Sequence, residues 1–261
     1  MKLQLFQVDA FTDQVFKGNP ACVVPLDEWL ADDILLKIAQ ENAVAETAFF
    51  IDKGDHLHLR WFTPEIEMDL CGHATLATAH VIKAELNYKE EVVRFQSQSG
   101  ELTVQETDGL YTLDFPTRPP EPAELPKNIK ESLSIQPQAV FKARDYVLLY
   151  KSEQEVLDIK IDRVLFDQIN LDPGGVIVTA QGNEVDFVSR FFTPQASILE
   201  DPVTGSAHCS LIPFWAERLK KTEMEAQQLS ARGGSLHCLL RGDRVLISGN
   251  AKTYLQGWIE I

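Results

Sequence analysis

Apolar residues recur along the chain with two spacings. Short apolar or alternating runs mark strands in "LQLFQVDAFT", "AETAFFID", "YVLLY" and "GGVIVTAQG". Between them the spacing becomes helical over about Asp32 to Glu41 and over "EVLDIKIDRVLFDQI". Two further helices are predicted. One runs from Gly72 to Lys83, with Ala, Leu and Val at helical intervals; the other runs from Gly205 to Lys220, with Leu211, Trp215 and Leu219 four apart. Behind each comes a pair of alternating segments, Glu101 to Val104 with Leu110 to Phe115, and Leu236 to Leu240 with Val245 to Ser248. Their Gly and Asp turns are those of antiparallel hairpins.

The pattern therefore runs twice in the same order. "RWFTP" at Arg60 to Pro64 returns as "RFFTP" at Arg190 to Pro194, half the 261-residue length away. After each come an acidic loop, a Gly with small residues, an apolar helix and two strands. Five prolines between Pro116 and Pro126 form an extended, semi-rigid connection, which places a boundary near Pro116 to Pro120. The expected domains are 1–117, with 251–261 as a candidate strand returning to it, and 118–250. Chemistry is expected between the halves.

Composition narrows the partners. With 44% hydrophobic and 24% charged residues the chain has an ordinary globular profile, and a formal charge of −15 without a Lys/Arg cluster disfavours nucleic acid and anionic membranes. The N-terminus lacks a long apolar core and no run approaches a membrane span, so a cytoplasmic location is expected. Four scattered cysteines without C-x-x-C spacing are expected to be reduced thiols.

Candidate chemistry gathers at two loop-to-helix junctions, "DLCGHAT" and "EDPVTGSAH". A Gly at a helix start lets backbone approach a ligand, and the free N–H groups of the first turn favour an anion. The plain alternative is that Asp201 is a cap and Gly205 eases a turn. His73, in a first turn, is expected to be neutral because the helix dipole lowers an imidazole pKa. Glu46, between "AVA" and "TAFF", is expected to be half-buried with a pKa raised toward the working pH, as acid and base catalysis requires. A solvated Glu is the ordinary reading of such a position.

The segments "DAFTDQVFKGNPACVV", "NAVAETAFF", "RWFTPEIEMDLCGHATLATAHV" and "EDPVTGSAHCSL" together resemble the phenazine-biosynthesis PhzF family, over nearly the whole chain and in family order. The resemblance implies an α/β fold (α+β type), that of diaminopimelate epimerase: two pseudo-symmetric halves, each a mostly antiparallel curled sheet around a central helix. It implies Glu46 as catalytic residue, and Gly72, His73, Asp201, Gly205 and Ser206 as substrate-binding. It further implies no cofactor, a small carboxylic acid as substrate, and a homodimer. In the characterised phenazine enzyme the reaction isomerises a dihydro-hydroxyanthranilate by moving a proton between ring carbons.

Related racemases of this fold use one Cys from each half. Here Cys71 precedes Gly72, but Thr204 precedes Gly205, so a two-thiol racemase is disfavoured. A metal site built on the Cys and His residues is disfavoured because neighbours such as His208 and Cys209 diverge on a helix or strand. A Ser hydrolase lacks the G-x-S-x-G elbow. The rival from another class is a non-catalytic ligand-binding or interaction protein that keeps the fold.

Overall fold

The computed structural model describes residues 1–171 and 174–261. The chain forms two units, Met1–Phe115 with Leu246–Ile261, and Pro116–Val245. None of its described helices is long and apolar enough to cross a membrane.

The first unit begins with β1 (Lys2–Ala10), antiparallel to β2 (Asn19–Pro25). Helix α1 (Asp32–Asn42) then crosses to β3 (Glu46–Asp52), parallel to β2, and β4 (Leu57–Phe62) returns antiparallel. The short β5 (Glu67–Met68) caps the end of β4. Helix α2 (Gly72–His80) leads to β6 (Val92–Ser97), parallel to β4, and β7 (Gly100–Thr107) and β8 (Leu110–Pro116) complete a meander.

The second unit repeats this plan. After β9 (Glu121–Pro122) and α3 (Lys127–Ser132), β10 (Ala139–Lys142) pairs antiparallel with β11 (Tyr146–Leu149). Helices α4 (Glu153–Asp158) and α5 (Arg163–Phe166) cross to β12 (Val176–Gln181), which is parallel to β11, and β13 (Phe187–Phe192) returns antiparallel. The short β14 (Glu200–Asp201), helix α6 (His208–Leu219), β15 (Glu223–Gln228), β16 (Gly234–Arg241) and β17 (Arg244–Gly249) follow. Strand β15 is parallel to β13 as β6 is to β4. Finally β18 (Ala251–Glu260) runs antiparallel along β1.

Burial explains the central helices. Every residue of α2 from Gly72 to Ala79 is buried, and α6 is buried from His208 to Ala216 apart from Pro213. Strands such as β3, with five consecutive buried residues, are covered on both faces. One face of the first sheet packs Val24, Phe49, Ile51 and Phe62 around Leu35, Ile38 and Ala39 of α1.

The helix boundaries differ from the sequence reading in instructive ways. The Gly72 to Lys83 helix is α-helical only to His80; Val81–Glu85 widens into a π turn, closed by Leu86 N–H donating to Val81 O at 3.0 Å. "EVLDIKIDRVLFDQI" is two helices, because the Asp162 side chain caps a new start by accepting from Val164 N–H. The expected helix at Gly205 opens as a 3-10 turn, Gly205–Ala207, before α6. Inside α6, Pro213 cannot donate to Cys209 O; the backbone N–H of Arg118 in the proline-rich connection does so instead, at 2.8 Å. That connection is less purely a linker than expected, since it contains β9 and runs directly into α3.

Candidate active site

The "R-x-F-T-P" pentapeptide builds the approach to each central helix. Arg60 forks onto Glu67 of β5 with two contacts of 2.7 Å, and Arg190 grips Glu200 of β14 at 2.7 and 2.9 Å. Each guanidinium also lies over the Phe two residues on, Phe62 at 5.1 Å and Phe192 at 4.9 Å. Thr63 N–H then donates to Ile66 O, and Thr193 N–H to Leu199 O, closing the turn that the following Pro begins. The sequence reading singled out these arginines without finding their partners. Such partners have no fixed spacing, since the second loop is three residues longer.

In the first unit this turn delivers Cys71, in extended backbone, to the start of α2. Thr75 Oγ1 and Thr75 N–H both donate to Cys71 O. On the neighbouring strand Glu46 opens β3 three residues after Ala43, whose left-handed φ of 51° ends α1. Asn42 Nδ2 donates to Thr47 Oγ1 at 3.1 Å and ties this turn together.

These two elements bring Glu46, His73 and Cys71 into one cluster. His73 Nε2 is 3.0 Å from Glu46 Oε2, and His73 Nδ1 is 3.6 Å from Cys71 Sγ. The side chains of His73 and Glu46 are 3% and 15% exposed, so the pair is largely shielded from water. The 3.0 Å approach is off the hydrogen-bond direction, leaving Glu46 Oε2 and His73 Nε2 among the buried polar atoms without a hydrogen-bond partner.

Burial alone would keep the His73 imidazole neutral. Cys71 and the Glu46 carboxylate outweigh it, and the His73 pKa is raised well above its ordinary value. The direction is opposite to the lowering expected from the helix dipole, because the negative charge beside the ring outweighs it. Burial and then the Glu46 charge raise the Cys71 pKa, against the opposing pull of His73.

Glu46, Cys71 and His73 offer three donor atoms within 4.8 Å of one another, a set that could interest a metal ion. The imidazole, however, turns Nδ1 to Cys71 and Nε2 to Glu46. These nitrogens lie on different edges of the ring, so an ion taken by one of them would give up the contact made by the other.

The second unit builds the same loop around different groups. Thr204 Oγ1 donates to Asp201 Oδ2, and buried Gln228 holds the loop: it accepts from Thr204 N–H at 2.8 Å and donates to Asp201 O at 2.7 Å. Sequence reasoning missed Gln228, which no motif marks. Gly205 is buried and Ser206 half-buried in the 3-10 turn. His208 Nδ1 donates to Thr204 O at 2.9 Å, and burial lowers the His208 pKa to about 4. Register supplies the counterpart of Glu46. Phe62 pairs Thr47, whereas Phe192 pairs Val176, and the preceding residue is Gly175.

Comparison with known proteins agrees with this architecture. A model of the family described as phenazine biosynthesis-like protein, PhzC-PhzF, matches residues 8–257. The chain belongs to that family. It is 47% identical to an uncharacterized isomerase of Pseudomonas aeruginosa across the full length of both. A PhzF family crystal structure from Enterococcus faecalis superposes with a TM-score of 0.95 at 45% identity, again covering both chains completely. A predicted epimerase of Pseudomonas aeruginosa, 17% identical over 98% of this chain and 99% of that one, shares the fold at a TM-score of 0.74. Several of its relatives are thus named isomerases, and the fold it shares with the predicted epimerase is the two-unit, mostly antiparallel architecture described above.

Proposed function

We propose that the protein is a cofactor-independent isomerase that moves a proton on a small carboxylic acid, with Glu46 as general acid and base. The observation that carries this reading is the shielded Glu46–His73 pair, 3.0 Å apart at the start of a buried helix. A carboxylate in that position takes a proton from an activated C–H and returns it to another carbon, while His73 holds positive charge beside it. Negative charge developing on the acid is further favoured by the α2 helix start at Gly72 and His73.

The second unit supports one base rather than two. Gly175 stands where Glu46 would be, and Thr204 where Cys71 would be. Asp201, Gly205 and Ser206 are proposed as substrate-binding by the motif resemblance. A homodimer is proposed on the same basis, and sedimentation checks it.

The test is deuterium incorporation in heavy water, read by mass spectrometry, with dihydro-hydroxyanthranilate and small amino and cyclic acids, and Glu46→Gln as control. Label entering with the wild type alone is expected. Acids that bind without acquiring label would overturn the isomerase reading in favour of a binding protein.

A further inference from the structure

Trp61 is 1% exposed, yet its indole Nε1 has no hydrogen-bond partner. A buried indole N–H usually finds one, so this donor calls for an explanation. Its place in the sheet suggests what it serves. Trp61 on β4 lies opposite Ala48 on β3, and Glu46 is two residues before Ala48. Side chains alternate along a strand, so Glu46, Ala48 and Trp61 share one face. A diagonal pair of this kind has its backbones about 7–8 Å apart, within reach of a long aromatic side chain, and Ala48 between them is small.

Glu46 Oε2 and His73 Nε2 are likewise buried without a hydrogen-bond partner. Three such atoms therefore belong to the Glu46 carboxylate, the imidazole it touches and the indole on its sheet face. We propose that the Trp61 Nε1–H donates to an oxygen of the acid on which Glu46 acts, stabilising the negative charge that proton removal creates. This rests on the isomerase reading above.

The chemistry balances without an added reactant. Glu46 accepts a proton from a C–H bond, and the electron pair spreads by conjugation onto the carboxyl oxygen. The proton then passes from Glu46 to a second carbon, the pair returns to form the new C–H bond, and nothing is oxidised or reduced. A fixed N–H beside that oxygen binds the charged intermediate more strongly than the ground state. The substrate is thereby restricted to acids whose acceptor oxygen is conjugated with the carbon that loses the proton.

"RFFTP" in the second unit offers the control. Phe191 occupies the position of Trp61 on an equivalent strand, so an aromatic ring satisfies the packing and the N–H is the difference. Trp61→Phe therefore removes the donor and keeps the ring.

The experiment uses the full chain labelled with ¹⁵N, in which the four tryptophans give four indole signals, the Trp61 signal being assigned by its loss in Trp61→Phe. The probe is anthranilate, an amino acid whose aromatic ring resists isomerisation. The Trp61 indole signal is expected to move downfield more than the other three as anthranilate saturates the protein. In parallel, Trp61→Phe is expected to exchange label into the acid that wild type labels about 10²-fold more slowly, with binding changed much less. Movement of the Gly72 and His73 amides with a stationary Trp61 indole, or wild-type exchange in Trp61→Phe, overturns the role of Trp61 and leaves the isomerase reading standing. If acids bind, as seen in moved Gly72 and His73 amides, and none of them acquires label, the isomerase reading fails, and this inference with it.

Discussion

Where the first unit has Glu46, Trp61, Cys71 and His73, the second has Gly175, Phe191, Thr204 and Ser206. The surrounding scaffold is nevertheless shared: the Arg fork, the short strand, the closing turn and the buried helix occur in both. The comparison separates what the fold needs from what the chemistry needs. Residues kept in both units hold backbone in place, whereas the titratable cluster occurs in one.

The largest effect should follow from removing the carboxylate. Glu46→Gln preserves size and is expected to lower proton exchange by at least about 10²-fold, with an unfolding transition close to that of wild type. Exchange at the wild-type rate would remove Glu46 from the mechanism and erase the distinction between the units.

The shared scaffold should respond in both, and more in the second, where Arg190 also donates to Val156 O, Leu157 O and Ile159 O. Arg60→Ala and Arg190→Ala each leave a largely buried carboxylate, Glu67 or Glu200, without its fork. Each is expected to cost about 3 kcal/mol or more in urea unfolding. A loss in one and none in the other would show that the pentapeptide has different tasks in the two units.

Much of this scaffold was legible in the sequence because it is local. Helical spacing disclosed α1, α2 and α6, alternation disclosed the hairpins, and "R-x-F-T-P" announced the repeat. The cluster was legible only as separate residues: Glu46 and His73 lie on different elements, and nothing in their spacing encodes a 3.0 Å approach. For the same reason the direction of the His73 shift was not legible, since the carboxylate that raises its pKa is 27 positions away in the chain. Gln228 and the unpartnered Trp61 indole depend on tertiary packing, which a pattern of apolar residues does not specify.

The two buried histidines sharpen the comparison through pH. His208 is held neutral by burial, with a pKa of about 4 against about 6.5 in an unfolded chain. Its contribution is complete above pH 6.5 and is lost as pH falls toward 4, up to about 3 kcal/mol. His73 has the opposite sign: its raised pKa adds stability that is full below about pH 6.5 and disappears as pH rises through the folded value. Urea unfolding at a series of pH values should therefore show His208→Gln flattening the acid limb and His73→Gln flattening the alkaline one. An acid limb unchanged in His208→Gln would mean that its burial is not what sets the pH response.

The smallest expected effect lies where the units use different groups for one task. Thr75 Oγ1 donates to Cys71 O, and His208 Nδ1 donates to Thr204 O; in each case the acceptor is four residues back, at the helix start. Thr75→Val keeps the shape and the backbone bond but loses the hydroxyl, which should cost about 1 kcal/mol. If that bond only closes the first turn, proton exchange will remain near wild type once the folded fraction is taken into account. A large fall in exchange at nearly unchanged stability would instead show that the hydroxyl fixes the turn carrying Cys71 and His73. The first unit would then differ from the second in how its helix start is aimed as well as in its titratable groups.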